Sequence, residues 1–435
     1  MIYAAIDIGS DTIKIVVAEY INERLNVLAS VNTRTVGVKR GIIVDKDLVV
    51  KSVNLALDEI KKQLGFSVDK AIINVPCYDA TVSVYNGEVY TDGVIRGEDV
   101  VNCFKSAIKA NVPDDREVIT VFPIDFLVDD EDRYHEVIGV NGYKLESRVL
   151  ISTVPKELVY PYLEVLETCG VEVIDLALSG VSDYAQLAHE ELKKQVGAVI
   201  NIGDSKTEIS IFNKGLMIKT DILPIGSKKI DQDIKYIYKL DRVTSRYLKE
   251  NLAVATSQYA DTSSSLEYEN LEGEKCLISS LEVSQIVEAR LEEILKSVKK
   301  SLNTLTNREI SYIIVSGGIS NLVGFNYMLE NTFGDITYMI NMNTLGVRDN
   351  IYSTCYGMIK YYYEKLALRG INYSMYENVL ENEKDNNIAY ENVLEKIQTY
   401  MESWERGIIN VKWIRNGSIS QNKSYRNWRW WWKCN

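Results

Sequence analysis

Two stretches far apart in the chain share one hydrophobic pattern. In residues 4–17 an apolar run reaches Asp7-Ile8-Gly9, a polar turn Ser10-Asp11 follows, and alternation resumes through Ile13, Ile15 and Val17. In residues 197–212 the run reaches Asn201-Ile202-Gly203, the turn is Asp204-Ser205-Lys206, and alternation resumes through Thr207, Ile209 and Ile211. Each reads as a β-hairpin with a buried first strand. One opens each half of the chain, which predicts a duplicated fold with the two turns facing each other. A third apolar run, 312–315, ends in Ser316-Gly317-Gly318 and predicts a buried strand entering a helix start.

The pattern between these landmarks fills in the elements. Val53, Leu57, Ile60 and Leu64 fall on one stripe and predict an amphipathic helix over 52–64. Residues 70–76 read as a buried strand stopped by Pro76. From 83 to 160 the character changes: Gly87, Gly93 and Gly97 punctuate short strands, a helix runs from 97 to 110, and strands follow in 112–129 and 139–151. Two helices flank the strand-like 171–176. Pro224 and Gly226 then precede a helix carrying Ile230 and Ile234, and 245–252 reads as another helix. Residues 257–275 are polar and read as a loop, and 283–305 is strongly amphipathic. A closing loop and a final helix occupy about 343–357.

The hairpin turns carry the candidate chemistry. They offer backbone N–H groups and the Ser10 hydroxyl, the donors a phosphate needs, and Asp7 supplies the oxygen that a phosphate-bound Mg²⁺ uses, often through water. Gly317 and Gly318 let backbone approach a flat ring or a phosphate closely, beside a helix N-terminus that favours an anion. Neither Gly-x-x-x-x-Gly-Lys-Ser/Thr nor Gly-x-Gly-x-x-Gly occurs at a strand-to-helix turn, which excludes the P-loop and Rossmann readings. The net charge of −12 argues against nucleic acid as a partner. Six scattered cysteines without Cys-x-x-Cys point to a reducing compartment and away from zinc. His135 and His189, the only histidines, read as surface or capping residues rather than catalysts. With no basic region before an apolar stretch and no run of 18 apolar residues, neither a signal peptide nor a membrane span is expected.

The three landmarks, in this order, resemble the phosphate 1, phosphate 2 and adenosine motifs of the actin, Hsp70 and sugar-kinase ATPase superfamily. Residues 112–129 and 139–152 look like subdomain 1C of the FtsA family of bacterial cell-division proteins, where it replaces actin's subdomain 1B. The resemblance covers about residues 2–368. It implies an α/β, actin-like (ribonuclease H-like) duplicated fold with two lobes around a nucleotide cleft. By it, 1–82 and 161–196 form subdomain 1A, 83–160 the inserted 1C, and 197–368 the second lobe, 2A with a 2B insertion at about 227–305. It also implies ATP and Mg²⁺ as cofactors. Ile8, Gly9, Ser10 and Asp11, with Gly203, Asp204, Ser205, Lys206 and Thr207, would hold the phosphates, and Asp7 would order the Mg²⁺. Ser316, Gly317 and Gly318 would pack on the adenosine, with Arg246, Lys249 and Glu250 around base and ribose. Asn201 stands where the motif usually opens with Asp, and Asp204 adds a negative charge near the phosphates, so binding with slow or absent hydrolysis is expected.

The resemblance further implies self-association, contact with the tubulin-like protein FtsZ through 2B, recruitment of later division proteins through 1C, and a place on the cytoplasmic face of the membrane at the division site. The alternative is a PilM-like adaptor of type IV pilus assembly, which shares 1C. A sugar or acid kinase would need an aspartate base and a sugar loop, neither of which is evident, and a chaperone-like ATPase would need a substrate domain.

The tail differs in kind. Residues 369–392 are acidic and Asn-rich and read as a linker, with Tyr-Glu-Asn-Val-Leu-Glu at 376–381 and again at 390–395. Val393, Ile397, Met401 and Trp404 then form a helical stripe within 393–435, where the resemblance implies a helix lying in the membrane interface. Its polar face mixes Glu395, Lys396, Glu402, Glu405 and Arg406, which weakens such an anchor. All six tryptophans lie in 404–432. Shifted by one nucleotide, AT-rich codons from Asn416 onward can read Met-Ala-Val-Leu-Ala-Lys-Ile-Lys-Val-Ile-Gly-Ile followed by glycines, because each TGG codon then contributes GG-x. That resembles the start of FtsZ, so the last residues are expected to be an out-of-frame reading into a neighbouring gene. The coding DNA tests this.

Overall fold

The computed structural model describes residues 1–376 apart from 22–23, 135–136, 190 and 369–372. The tail elements expected beyond 376, and His135, lie outside the described residues.

The first hairpin forms as its pattern dictates. β1 (Ile2–Ile8) pairs antiparallel with β2 (Thr12–Ile21), and β3 (Arg24–Arg34) continues the meander. A two-residue ribbon, β4 (Val38–Lys39) and β5 (Ile42–Ile43), leads into α1 (Lys46–Leu64). Asp45 caps α1 by accepting the Leu48 N–H at 3.1 Å, and Val49, Val53, Ala56 and Ile60 turn its apolar stripe inward. β6 (Lys70–Val75) then lies parallel beside β1. Covered on both faces, β1 reads as a continuous apolar run, because every side chain meets protein.

The chain next leaves for a separate layer. β7 (Thr81–Val94), α2 (Gly97–Asn111), β8 (Arg116–Val128), β9 (Asp132–Tyr134) and β10 (Asn141–Pro155) build an antiparallel sheet in the order β7-β10-β8-β9. It has its own core around Phe104, Phe126, Leu145 and Val149. The glycines do not break β7 into short strands as expected. Gly87 instead lets α2 lie against the strand: a Cβ there would sit 2.0 Å from the Cys103 carbonyl oxygen. Gly93, at φ +112°, marks the irregular pairing with β10 between Gly142 and Lys144.

α3 (Lys156–Thr168), β11 (Glu172–Leu178) and α4 (Ser179–Leu187) complete the first half. Its sheet runs β3-β2-β1-β6-β11. The second half repeats that plan. β12 (Val196–Ile202), β13 (Thr207–Asn213) and β14 (Leu216–Leu223) form its meander. There follow α5 (Lys228–Tyr238), α6 (Arg242–Asn251), the hairpin β15 (Ser265–Glu269) and β16 (Lys275–Ser279), and α7 (Ser280–Leu305). β17 (Tyr312–Ser316), α8 (Phe325–Phe333), β18 (Thr337–Met339) and α9 (Ser353–Leu368) close it. The sheet order is β14-β13-β12-β17-β18, strand for strand that of the first half.

Two local expectations need correction. The stretch 257–275 contains β15, where only Leu266 and Tyr268 alternate inward against β16, too short a signal to stand out from polar neighbours. After Gly317 comes a single 3-10 turn, Gly318–Asn321, and the α-helix begins only at Phe325, so no α-helical N-terminus abuts the glycines.

The two halves exchange helices. α4, which follows the first sheet, packs under β12, β13 and β17, while α9, which follows the second, packs under β1, β2 and β6. Gly180 and Gly357 permit the crossing: added Cβ atoms would lie 2.2 Å from Ser210 Oγ and 2.1 Å from the Ser182 carbonyl oxygen. Tyr184 of α4 stacks on Phe212 with centroids 4.3 Å apart. Within the stretch read as a linker, residues 373–376 are pinned to the first half. The Met375 N–H donates to the Ile2 carbonyl at 3.0 Å, and the Tyr376 hydroxyl to the Lys70 carbonyl at 2.5 Å.

Candidate functional site

The crossing helices leave a cleft of about 790 Å³ above them, lined by both hairpin turns. Fifteen of the seventeen residues named from the sequence border it. The exceptions are Thr207 and Ser316, both fully buried in its walls. Thr207 donates its hydroxyl to the Ile225 carbonyl at 2.8 Å and so holds the loop before α5. That loop in turn pins the second turn. The N–H groups of Ser227 and Lys228 donate to the carbonyls of Gly203 and Asp204 at 2.9 and 2.8 Å. The approach requires Gly226, whose Cβ would lie 2.5 Å from the Gly203 oxygen.

The two turns have the same construction. The Gly9 N–H donates to the Thr12 carbonyl and the Gly203 N–H to that of Lys206, both at 3.0 Å. The turn amides of Ser10, Asp11, Asp204 and Ser205 donate to no acceptor among the described residues, and the buried Ser205 hydroxyl has no partner either. Such inward donors suit an anion. Ser10 accepts the Gly41 N–H at 2.7 Å, which draws the β4–β5 ribbon against the first turn. On the third wall Gly317, at φ +98°, has room for no side chain: a Cβ would sit 2.4 Å from the Ile202 oxygen.

Charges across the cleft are paired. Arg246 of α6 reaches Asp11 at 2.6 Å and Asp204 at 2.9 Å, and Arg242 one turn earlier reaches the same pair at 3.2 and 3.6 Å. Burial works against the Asp11 carboxylate, but the two arginines more than compensate and hold it below its usual range. Asp204 is pushed the other way, by burial and by Asp11, which together outweigh the arginines. The negative charge expected at Asp204 is therefore already matched by Arg246. Lys249 and Glu250 part company: Lys249 is buried and pairs with Asp231 at 2.6 Å, while Glu250 stays exposed and lies 3.6 Å from Arg246. Lys206 turns from the turn into the wall, pairs with Glu208 and lies over the Tyr78 ring.

Asp7 is held by Lys14 at 3.1 Å and by the Asn74 amide at 3.4 Å. Burial alone would lower Lys14, and Asp7 more than reverses that. Asn201, its counterpart, donates Nδ2 to Asp183 at 2.6 Å and to Thr354 at 3.3 Å. Sequence reading missed Lys14, Asp183 and Arg242. Lys14 is legible once the hairpin register sets it opposite Asp7, and Arg242 lies one turn before Arg246 on the same helix face. Asp183 is the lone charge in the otherwise uncharged 179–187, a signal in itself. It is fully buried, and burial pushes its carboxyl up to about 6 against three hydrogen bonds that favour the charged form.

Two like-ordered five-stranded sheets with exchanged helices and a cleft between matched turns define the actin-like fold. Solved structures agree at the level of fold. A "PilM-PilN type IV pilus biogenesis complex" chain gives a TM-score of 0.56 at 14% identity, covering 85% of this chain and 98% of that one. MreB5 of Spiroplasma citri bound to AMPPNP gives 0.52 at 14% identity, covering 85% and 99%. Family models are more specific. "Cell division protein FtsA" matches residues 198–357, and "SHS2 domain inserted in FTSA" matches 79–153. FtsA of Bacillus subtilis strain 168 is 26% identical over 387 residues, 87% of this chain and 88% of its own. FtsA of Streptococcus pneumoniae D39 is 27% identical over 352 residues, 80% and 77%. The chain belongs to the FtsA family of cell-division proteins.

Proposed function

We propose that this protein binds ATP with Mg²⁺ in the cleft, associates with itself, tethers FtsZ filaments to the cytoplasmic membrane at the division site, and recruits later division proteins there. The observation that carries the nucleotide part is the pair of facing turns with unspent amides, beside glycines that tolerate no Cβ. The residues fit the group. Turn amides 10–11 and 204–205 would take phosphate oxygens, with Arg246 and Arg242 as counter-charges. Gly317 and Gly318 offer a flat wall to the adenosine. The hard oxygens of Asp7 and Asn201 suit Mg²⁺ through water. Bound metal would screen the charge of the polyphosphate. The chain's own part is to orient it and to hold the Asp7 carboxyl group in place through its ion pair with Lys14.

Hydrolysis is proposed to be slow, since an amide at 201 cannot take a proton from water. Brisk Mg²⁺-dependent turnover in a phosphate-release assay would contradict this. The division of labour follows the family: 1–82 with 161–196 as 1A, 83–160 as 1C facing neighbours, about 227–305 as 2B facing FtsZ, and the tail beyond 369 facing the membrane. The membership itself favours division over the PilM-like alternative, for which only likeness of fold speaks.

The test is co-sedimentation of the full chain with GTP-assembled FtsZ from the same source. Saturable co-pelleting, lost on charge reversal in α5–α7, is expected. A folded, ATP-binding protein that does not co-pellet would favour the pilus-type role, to be checked against a PilN-like peptide.

A further inference from the structure

The cleft rests on a buried polar node. Asp183 has no exposed surface and does not reach the cleft. Its carboxylate gathers donors from three other elements. Asn201 Nδ2, near the end of β12, and Ser316 Oγ, at the end of β17, both donate at 2.6 Å, and Thr354 Oγ1, in the first turn of α9, donates at 3.0 Å. Asp183 itself rides on α4, so the node ties both exchanged helices to both central strands of the second sheet.

The node also decides which atom of Asn201 the cleft meets. An ionised carboxylate only accepts hydrogen bonds, so the Asn201 amide must turn Nδ2 towards it. Asn201 Oδ1 has no partner among the described residues, is not sealed from the cleft, and Asn201 lines it. The first half supplies the comparison. Asp7 holds in β1 the place that Asn201 holds in β12, and each is followed by Ile-Gly. There the carboxylate borders the cleft and an amide, Asn74, stands on the next strand. At the second turn the amide borders the cleft and the carboxylate, carried on α4 from the first half, stands behind it. Each turn thus pairs one Asp with one Asn, with the Asp at the strand end in the first and behind it in the second.

We propose that Asp183 is a positioning residue for the metal-bearing end of the nucleotide: it fixes Asn201 with its carbonyl oxygen towards the cleft and supplies from behind the negative charge that Asn201 lacks. A hydrogen bond to a buried charge polarises the amide and makes its oxygen a better acceptor. The second half then keeps an oxygen suited to a metal-bound water while gaining no group able to act as a base. This inference rests on reading the cleft as a nucleotide site.

The test measures ATP affinity of the full chain by calorimetry with Mg²⁺ and with EDTA, for the parent, Asp183→Asn, Asn201→Asp and the double exchange. The parent is expected to bind more tightly with Mg²⁺. Asp183→Asn should lose about tenfold of that Mg²⁺-dependent gain, the size set by one hydrogen bond to a charge, with EDTA affinity little changed. Asn201→Asp alone sets two carboxylates against each other and should also lose affinity. The double exchange returns one charge and one amide and should restore the Mg²⁺ preference. A merely structural Asp183 would lower both affinities together and the exchange would restore neither. An unchanged Mg²⁺ gain in Asp183→Asn, or no restoration in the exchange, overturns the inference while ATP binding stands. A parent that binds no ATP overturns the nucleotide reading and this inference with it. If Asp183→Asn fails to fold, the double exchange decides alone.

Discussion

Arg246 serves two carboxylates from opposite halves of the molecule, Asp11 at 2.6 Å and Asp204 at 2.9 Å, and does so where phosphate is expected to enter. A polyphosphate arriving there competes with both for the guanidinium. Arg246→Ala leaves two carboxylates facing the ligand with Arg242 alone to offset them, so ATP affinity should fall about tenfold to a hundredfold by calorimetry. Asp183 gives a prediction in pH. Its folded-state carboxyl lies near 6, above the usual unfolded value, so the folded state holds a proton that the unfolded chain has released. Its contribution is therefore most favourable below about pH 4 and declines as pH rises to about 6, by on the order of 3 kcal/mol at most. Denaturant unfolding of the parent and Asp183→Asn at several pH values isolates this. The parent's advantage over the variant should shrink from pH 4 to pH 7. Sequence reading named Arg246, Asp11 and Asp204 but not their pairing, because an ion pair between residues 11 and 246 has no local signature.

At the scale of elements, period and caps were decisive where an element stands alone. Both hairpins, α1, α2 and α7 follow from their own apolar spacing; α7 also carries a capping box between Ser279 and Glu282. Readings failed where a neighbour set the role of a residue. Gly87 looks like a strand breaker in sequence, yet it is a contact residue under α2. Gly87→Ala should pry α2 from the sheet of the inserted domain and cost about 1–3 kcal/mol, the range for overpacking. Thermal unfolding reads the loss. Exchange of amide hydrogens should rise in 81–155 before it rises elsewhere.

For the whole molecule, the exchanged helices matter most. α4 and α9 cross where Gly357 faces the Ser182 carbonyl, directly beneath the Asp183 node and the cleft. Any side chain at 357 wedges the crossing apart. Gly357→Ala is expected to weaken ATP binding while leaving both five-stranded sheets folded, so far-UV circular dichroism should hold while the calorimetric affinity falls. Retained affinity would mean that the halves do not need this crossing to close on a ligand.

By itself the sequence determined the duplication, the two turns, the inserted layer and the family, because each is written in short-range periodicity or in motifs of consecutive residues. It also determined that Asn stands at 201. Only the tertiary structure decided what that Asn does. Its partner Asp183 is carried on a helix that crosses from the other half, and a hydrogen bond between elements brought together by packing leaves no trace in the spacing of residues along either one.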